Sequence, residues 1–159
     1  MKYLLKIYRS LILALIMISG GLTVAAQADK IGNMLEEKRF VFKAETAIPM
    51  SLPSRNLSYG YDLQLNGANV VAYLPYFGTS YSAPVNPADN TLQFTSVQYG
   101  YKISSRKGRW EVTITPSDAT DVRDMQLTVF TNGRATLQVN STRRSPISFN
   151  GYIDAYGSK

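Results

Sequence analysis

The chain has 159 residues, 17 lysines and arginines against 11 aspartates and glutamates, eleven tyrosines, and neither cysteine nor histidine. That length fits one domain, and the two missing residue types exclude disulfides, thiol nucleophiles, Ser-His-Asp or Cys-His machinery and the common zinc sites. The formal charge of +6 lacks the clustering of a nucleic-acid binder, so the reading is no nucleic acid as partner.

Residues 1–28 read as a cleaved signal peptide. Lys2, Lys6 and Arg9 precede an apolar core from Leu11 to Ile18, Gly20-Gly21 breaks the helix, and Ala26-Gln27-Ala28 gives a small-x-small cleavage pattern. The apolar core is short of the ~20 residues that a membrane span needs. Cleavage there leaves a single domain, 29–159, with 14 basic and 11 acidic residues. Its expected location is the periplasm or cell envelope. A chain of that size buries about two-thirds of its unfolded surface and needs no metal or disulfide to hold it.

Lys30–Lys38 follows as a short amphipathic helix, with Ile31, Met34 and Leu35 at helical spacing. From Arg39 the period becomes two, and Phe40, Phe42 and Ala44 mark a first strand that ends before Pro49 and Pro53. Ser51–Asn56 reads as loop. Tyr59, Tyr61, Leu63 and Leu65 then share one strand face, and Asn66-Gly67 fits a two-residue hairpin turn. That turn predicts Leu63 opposite Val70, Tyr61 opposite Ala72 and Tyr59 opposite Leu74.

Leu74–Pro87 is a long loop with three prolines and three aromatics, well above the median connection of about 4–6 residues. Such loops are functional or packed by their own side chains. Tyr76, Phe77, Gly78 and Tyr81 are the candidate binding residues of the chain. Phe77 is expected to seal the core, and Tyr76 and Tyr81 to sit on a half-wet rim where binding aromatics lie.

After the loop, Leu92 and Phe94 take even positions, whereas Val97, Tyr99, Tyr101 and Ile103 take odd ones, so a turn or bulge is expected at Thr95-Ser96. Ser105-Arg106-Lys107-Gly108 then connects to a strand with Trp110, Val112 and Ile114 inward, pairing Ile103 with Trp110. For Met125–Val139, a two-residue Asn132-Gly133 turn would bury polar side chains. A three-residue loop, Thr131-Asn132-Gly133, pairs Val129 with Ala135, Leu127 with Leu137 and Met125 with Val139, with a left-handed Gly133. Ile147, Phe149 and Ile153 form the last strand before a polar tail, 156–159. The fold class is therefore mainly β: an antiparallel sandwich or half-open barrel of about eight to nine strands with one short N-terminal helix.

The order of features resembles a bacterial exported family known only as domain of unknown function 4251. The matching pieces are the Phe-Val-Phe strand with a downstream proline, Leu74-Pro75-Tyr76-Phe77-Gly78, and Asn132-Gly133-Arg134-Ala135. The run from Arg143-Arg144-Ser145 through Ile147, Ser148, Phe149, Asn150, Gly151 and Tyr152 matches as well. The resemblance implies an envelope location and carries over no activity, cofactor or site residue.

No constellation of residues singles out a reaction. Asp118, Asp121 and Asp124 are three apart, but no glycine makes the sharp turn of a calcium loop, so turn and cap chemistry is the better reading. Glu45, Asp62 and Glu111 lie singly on polar strand faces and form no pair for glycoside hydrolysis. Tyr59-Gly60-Tyr61 and Tyr99-Gly100-Tyr101 read as core-edge packing rather than a stacking platform. Arg106, Lys107 and Arg109 form a basic hairpin tip, and Arg143-Arg144 a second cluster, offering weak contact with an anionic membrane surface. The leading functional expectation is a non-enzymatic binding or interaction module that contacts an envelope protein or small ligand. Its alternatives are a carrier of an apolar ligand inside the barrel and an atypical hydrolase. No metal or cofactor is expected.

Overall fold

The computed structural model describes residues 27–58, 60–77, 91–119 and 121–157. The expected signal peptide up to residue 26, Tyr59, the loop from Gly78 through Tyr81 to Pro87, and the end of the polar tail lie outside the described residues.

Helix α1 (27–36) begins earlier than the expected Lys30, and Gln27 Nε2 donates to the carbonyl of Asn132 at 3.3 Å. Ile31 and Leu35 are buried as their spacing predicts. Just past the helix, Lys38 takes a positive φ of 56°, the left-handed end that usually falls to glycine. Its Nζ lies 5.2 Å from the Tyr101 ring centroid and 5.9 Å from that of Tyr99. The Tyr101 hydroxyl donates to the Leu35 carbonyl at 2.6 Å, satisfying one of the helix's end groups. Burial and the neighbouring Tyr99 push the Tyr101 phenol above its ordinary range.

The strands are β1 (Arg39–Pro49), β2 (Arg55–Asn56), β3 (Asp62–Asn66), β4 (Val70–Pro75), β5 (Thr91–Ser96), β6 (Tyr99–Arg106), β7 (Arg109–Pro116), β8 (Val122–Phe130), β9 (Arg134–Ser141) and β10 (Ile147–Ala155). They form one antiparallel sheet in the order β5-β4-β3-β1-β10-β9-β8-β7-β6, with β2 beside β1. The sheet curls into a half-barrel, so the barrel alternative holds and the sandwich does not. The extra strand beyond the nine expected is β2, inside the stretch read as loop. First and last long strands pair along the middle of the sheet, Phe40 with Ala155 through Pro49 with Ile147.

The curl is closed at one corner by a single bent segment. β5 and β6 stand at opposite ends of the strand order, yet only Val97 and Gln98 separate them. Three peptide steps reach at most about 11 Å, so the two edges meet there. The expected phase slip is this bend, placed two residues later than Thr95-Ser96. Ser96 still faces inward and is fully buried, while Val97 is 61% exposed. Asp118 fixes the bend. Its Oδ2 accepts from the main-chain N–H of Val97 at 2.9 Å and of Gln98 at 3.2 Å, and its Oδ1 accepts from the Ser96 hydroxyl.

Three hairpin registers test the reading of the sequence. The three-residue loop before Arg134 holds: Val129 faces Ala135, Leu127 faces Leu137, Met125 faces Val139, and Gly133 has φ 82°. In the β3–β4 hairpin the expected pairs are displaced by two residues. Leu65 faces Val70 and Leu63 faces Ala72, because Gly67, not Asn66, opens the turn. Gly67 takes φ 88°, as the first position of a type II′ turn requires. Asn66 instead accepts from the N–H groups of Ala68 and Asn69 at 3.1 and 2.7 Å through its side chain. The β6–β7 connection is likewise tighter than expected. Lys107-Gly108 alone makes the turn, so Ile103 faces Val112 and Trp110 faces Ser105. Both shifts are even, so each residue keeps its face of the sheet, although Ile103, near the β6 end, is exposed.

Candidate functional site

The inside of the half-barrel holds a continuous cluster of buried apolar side chains. Phe40, Phe42, Leu65, Met125, Leu137 and Phe149 are among the fully buried residues, with Ile31 and Leu35 of α1 closing over them. A cleft of about 570 Å³ has the consecutive β5 residues Thr91–Thr95 as one wall. Asp118, Ala119 and Asp121 of the β7–β8 connection, together with Val122 of β8 and with Arg144, make the other wall.

Each end of the cleft is bridged by a side chain, which reaches the bend just past β5 at one end and the β5 backbone at the other. At the Ser96 end this is Asp118, whose carboxyl is held below its ordinary 3.8 by the Ser96 hydroxyl and then by the Val97 and Gln98 amides. At the Thr91 end, Arg144 Nη1 donates to the Thr91 carbonyl at 3.4 Å. The Arg144 guanidinium also lies 4.9 Å from the Tyr76 ring centroid. The tyrosine hydroxyl beneath it bonds to Ser145. The cleft is polar at its ends, with a half-buried Phe94 and a buried Val122 between them.

The structure reverses the burial expected of the two loop aromatics it describes. Tyr76 is the seal, 5% exposed, because Ser145 gives its hydroxyl a buried partner and removes the penalty that would have kept it at the rim. Phe77 is half-buried, with the Arg55 guanidinium 4.9 Å from its ring centroid. Gly78 and Tyr81 lie outside the described residues.

The remaining charged and aromatic candidates are dispersed. Arg106 and Arg109 both turn back onto Glu111, at 3.1 and 2.8 Å. Lys107 therefore has no acidic partner among the described residues. The three aspartates serve separate ends: Asp118 the bend, Asp121 an ion pair with Arg143 at 3.6 Å, and Asp124 the side chains of Asn140, Arg123 and Gln126. Tyr61, Tyr99 and Tyr101 pack against the core, and Tyr61 also stacks on the outward Tyr73 at 5.4 Å. Reading the sequence missed β5 as a wall and Arg144 as its clamp. The available signal was compositional: Thr91–Ser96 carries no charge and no proline. It acquires meaning only when β5 is known to be an edge.

A curled antiparallel half-barrel with a short helix packed against its core and a cleft along one sheet edge defines an all-β scaffold. The chain belongs to the family described as Domain of unknown function (DUF4251), whose model matches residues 23–153. A similar fold is seen in the crystal structure of a DUF4251 family protein from Bacteroides eggerthii DSM 20697. The TM-score is 0.62 at 15% identity, covering 82% of this chain and 89% of that one. No curated protein matches the sequence.

Proposed function

We propose that this is an exported, non-enzymatic binding module of the cell envelope that makes its contact outside the half-barrel, at the β5 cleft and the adjoining Tyr76–Phe77 corner. The observation that carries this reading is the contrast between a filled interior and a cleft walled by an uncharged strand edge. A small barrel can hold either packed side chains or a ligand, and the buried phenylalanines and leucines favour the first use over the carrier alternative. Export is supported by the charged start, short apolar core and Ala-Gln-Ala pattern of the N-terminal segment. The non-enzymatic part is supported by the lack of histidine and cysteine, and by the commitment of Glu111, Asp118 and Asp124 to structural partners. Contact with anionic surfaces through Arg106, Lys107 and Arg109 is a minor part of the proposal, since Glu111 draws off two of the three.

The test is a photo-crosslinking amino acid placed at position 93 in cells that make the full chain. The expected result is a discrete adduct in the envelope fraction, with none from the same label at position 104 on the opposite edge strand. Equal labelling from both positions, or none from either, contradicts the reading.

A further inference from the structure

The direction in which each β5 residue offers its main chain follows from the hairpin before it. The N–H of Asn66 bonds to the carbonyl of Asn69 at the closing pair of the β3–β4 hairpin. Bonded and non-bonded pairs alternate along an antiparallel ladder, so Val71 and Tyr73 bond toward β3 while Val70, Ala72 and Leu74 bond toward β5. Their partners Ser96, Phe94 and Leu92 are therefore the residues of β5 that pair with β4. Thr91, Gln93, Thr95 and Val97 turn their main-chain groups to the cleft. Two contacts agree with this assignment: Arg144 reaches the Thr91 carbonyl, and Asp118 the Val97 N–H. Between those two, the N–H and carbonyl groups of Gln93 and Thr95 have no protein partner among the described residues.

Edge strands left in this state pair with other chains unless charge or proline blunts them. The opposite edge, β6, carries Lys102 and Arg106, whereas β5 carries neither charge nor proline.

We propose that the cleft binds an extended polypeptide segment that adds a strand to β5, an inference that rests on the binding-module reading above. The span from Thr91 to Val97 is about 20 Å at ~3.3 Å per residue, which admits roughly five residues between the bridged ends. Side chains of the segment alternate in what they meet: Phe94 and Val122 on the inner side, exposed Gln93 and Thr95 on the outer. Charge sets its direction. Arg144 holds donors beyond its single 3.4 Å bond to Thr91, and Asp118 marks the other end. The segment therefore runs antiparallel to β5 with its terminal carboxylate at Arg144. The β7–β8 connection walls the cleft, so it takes one strand and not the whole sheet edge of a second copy.

The probe is a pool of N-acetylated pentapeptides alternating Val or Phe with Thr or Gln, ending in a free carboxylate, added to the full-length protein. The expected result is at least tenfold slower amide exchange at Gln93 and Thr95. Retention of the pool should fall at least tenfold for Gln93→Pro, which removes an N–H that the sheet does not use. A pool N-methylated at alternate amides should not be retained by the unaltered protein, a comparison that stands even if Gln93→Pro fails to fold. The proposal is overturned by unchanged exchange at both amides, by equal retention on Gln93→Pro, or by equal retention of the methylated pool. It is also overturned if the same amides are already protected in the free monomer, or are protected only in a dimer. Equal retention of C-terminally amidated peptides overturns the assigned direction. If the pool fails while the label at position 93 still gives its discrete adduct, strand addition falls and the binding-module reading stands; if both fail, so do both readings.

Discussion

Tyr76 and Ser145, 69 positions apart in the chain, are joined by two polar contacts: the phenol donates to the Ser145 carbonyl at 3.0 Å and lies 2.9 Å from its hydroxyl. The pair ties the end of β4 to the β9–β10 connection and fixes the ring on which Arg144 rests. Tyr76→Phe should cost about 1–2 kcal/mol through the unpaired Ser145 groups, and Tyr76→Ala about 3–5 kcal/mol. Phe77→Ala, at a half-buried position, should cost less, about 1–2 kcal/mol. Denaturant midpoints of the three variants check this order; a larger loss for Phe77→Ala than for Tyr76→Ala would restore the sequence-based assignment.

Gly151 faces Ala44 beside the irregularity in β1, and a Cβ added to it would fall on the carbonyl oxygen of Lys43. No flexible side chain can give way there, because the obstacle is backbone. Gly151→Ala should therefore lose more than ~4 kcal/mol. Gly133→Ala meets only ordinary contacts with Gln27 and Ile31 at 3.6 and 3.8 Å, so its loss should be the left-handed penalty alone, about 1–2 kcal/mol. Thermal or urea unfolding of both variants measures the difference.

Why the sequence revealed some of this and not the rest is visible in particular residues. The alternation of Met125, Leu127 and Val129 against Ala135, Leu137 and Val139 admits only an odd loop length, and the left-handed Gly133 after Asn132 selects three residues, so that register could be read directly. The β3–β4 pattern tolerates a shift of two, since apolar residues stay inward, and only the side-chain capping by Asn66 decides it. Tyr76 was misplaced because its buried partner, Ser145, lies far along the chain. The β5 cleft was invisible for a related reason. Whether Thr91–Ser96 is an edge depends on the strand order, and that order is set by the pairing of β1 with β10.

Asp118 gives the fold an acid-sensitive corner. Its carboxyl is held below the ordinary value by the Ser96 hydroxyl and the amides of the bend. A depressed folded-state value contributes stability above the unfolded-state value, and that stability is lost as pH falls through the folded-state value. The loss should begin near pH 3.8 and grow below it. Asp118→Asn should be less stable at neutral pH and show a flatter decline in acid. Urea midpoints across the acid range check the sign; a parallel decline in both proteins would remove Asp118 as the cause.

Glu111 restrains the basic hairpin tip by pairing with Arg106 and Arg109. Glu111→Gln should release both and raise retention on vesicles containing anionic lipid, in a salt-sensitive manner. Co-sedimentation at low and high salt checks this; unchanged retention would mean that the tip has no part in surface contact.

The central claim is that the protein binds on its outer edge and not inside its half-barrel. Native mass spectrometry of protein recovered from the cell envelope tests this most directly. The account predicts the bare polypeptide mass, or a polypeptide partner lost on Gln93→Pro. A stoichiometric adduct of lipid size that survives Gln93→Pro would place the ligand in the interior and contradict it.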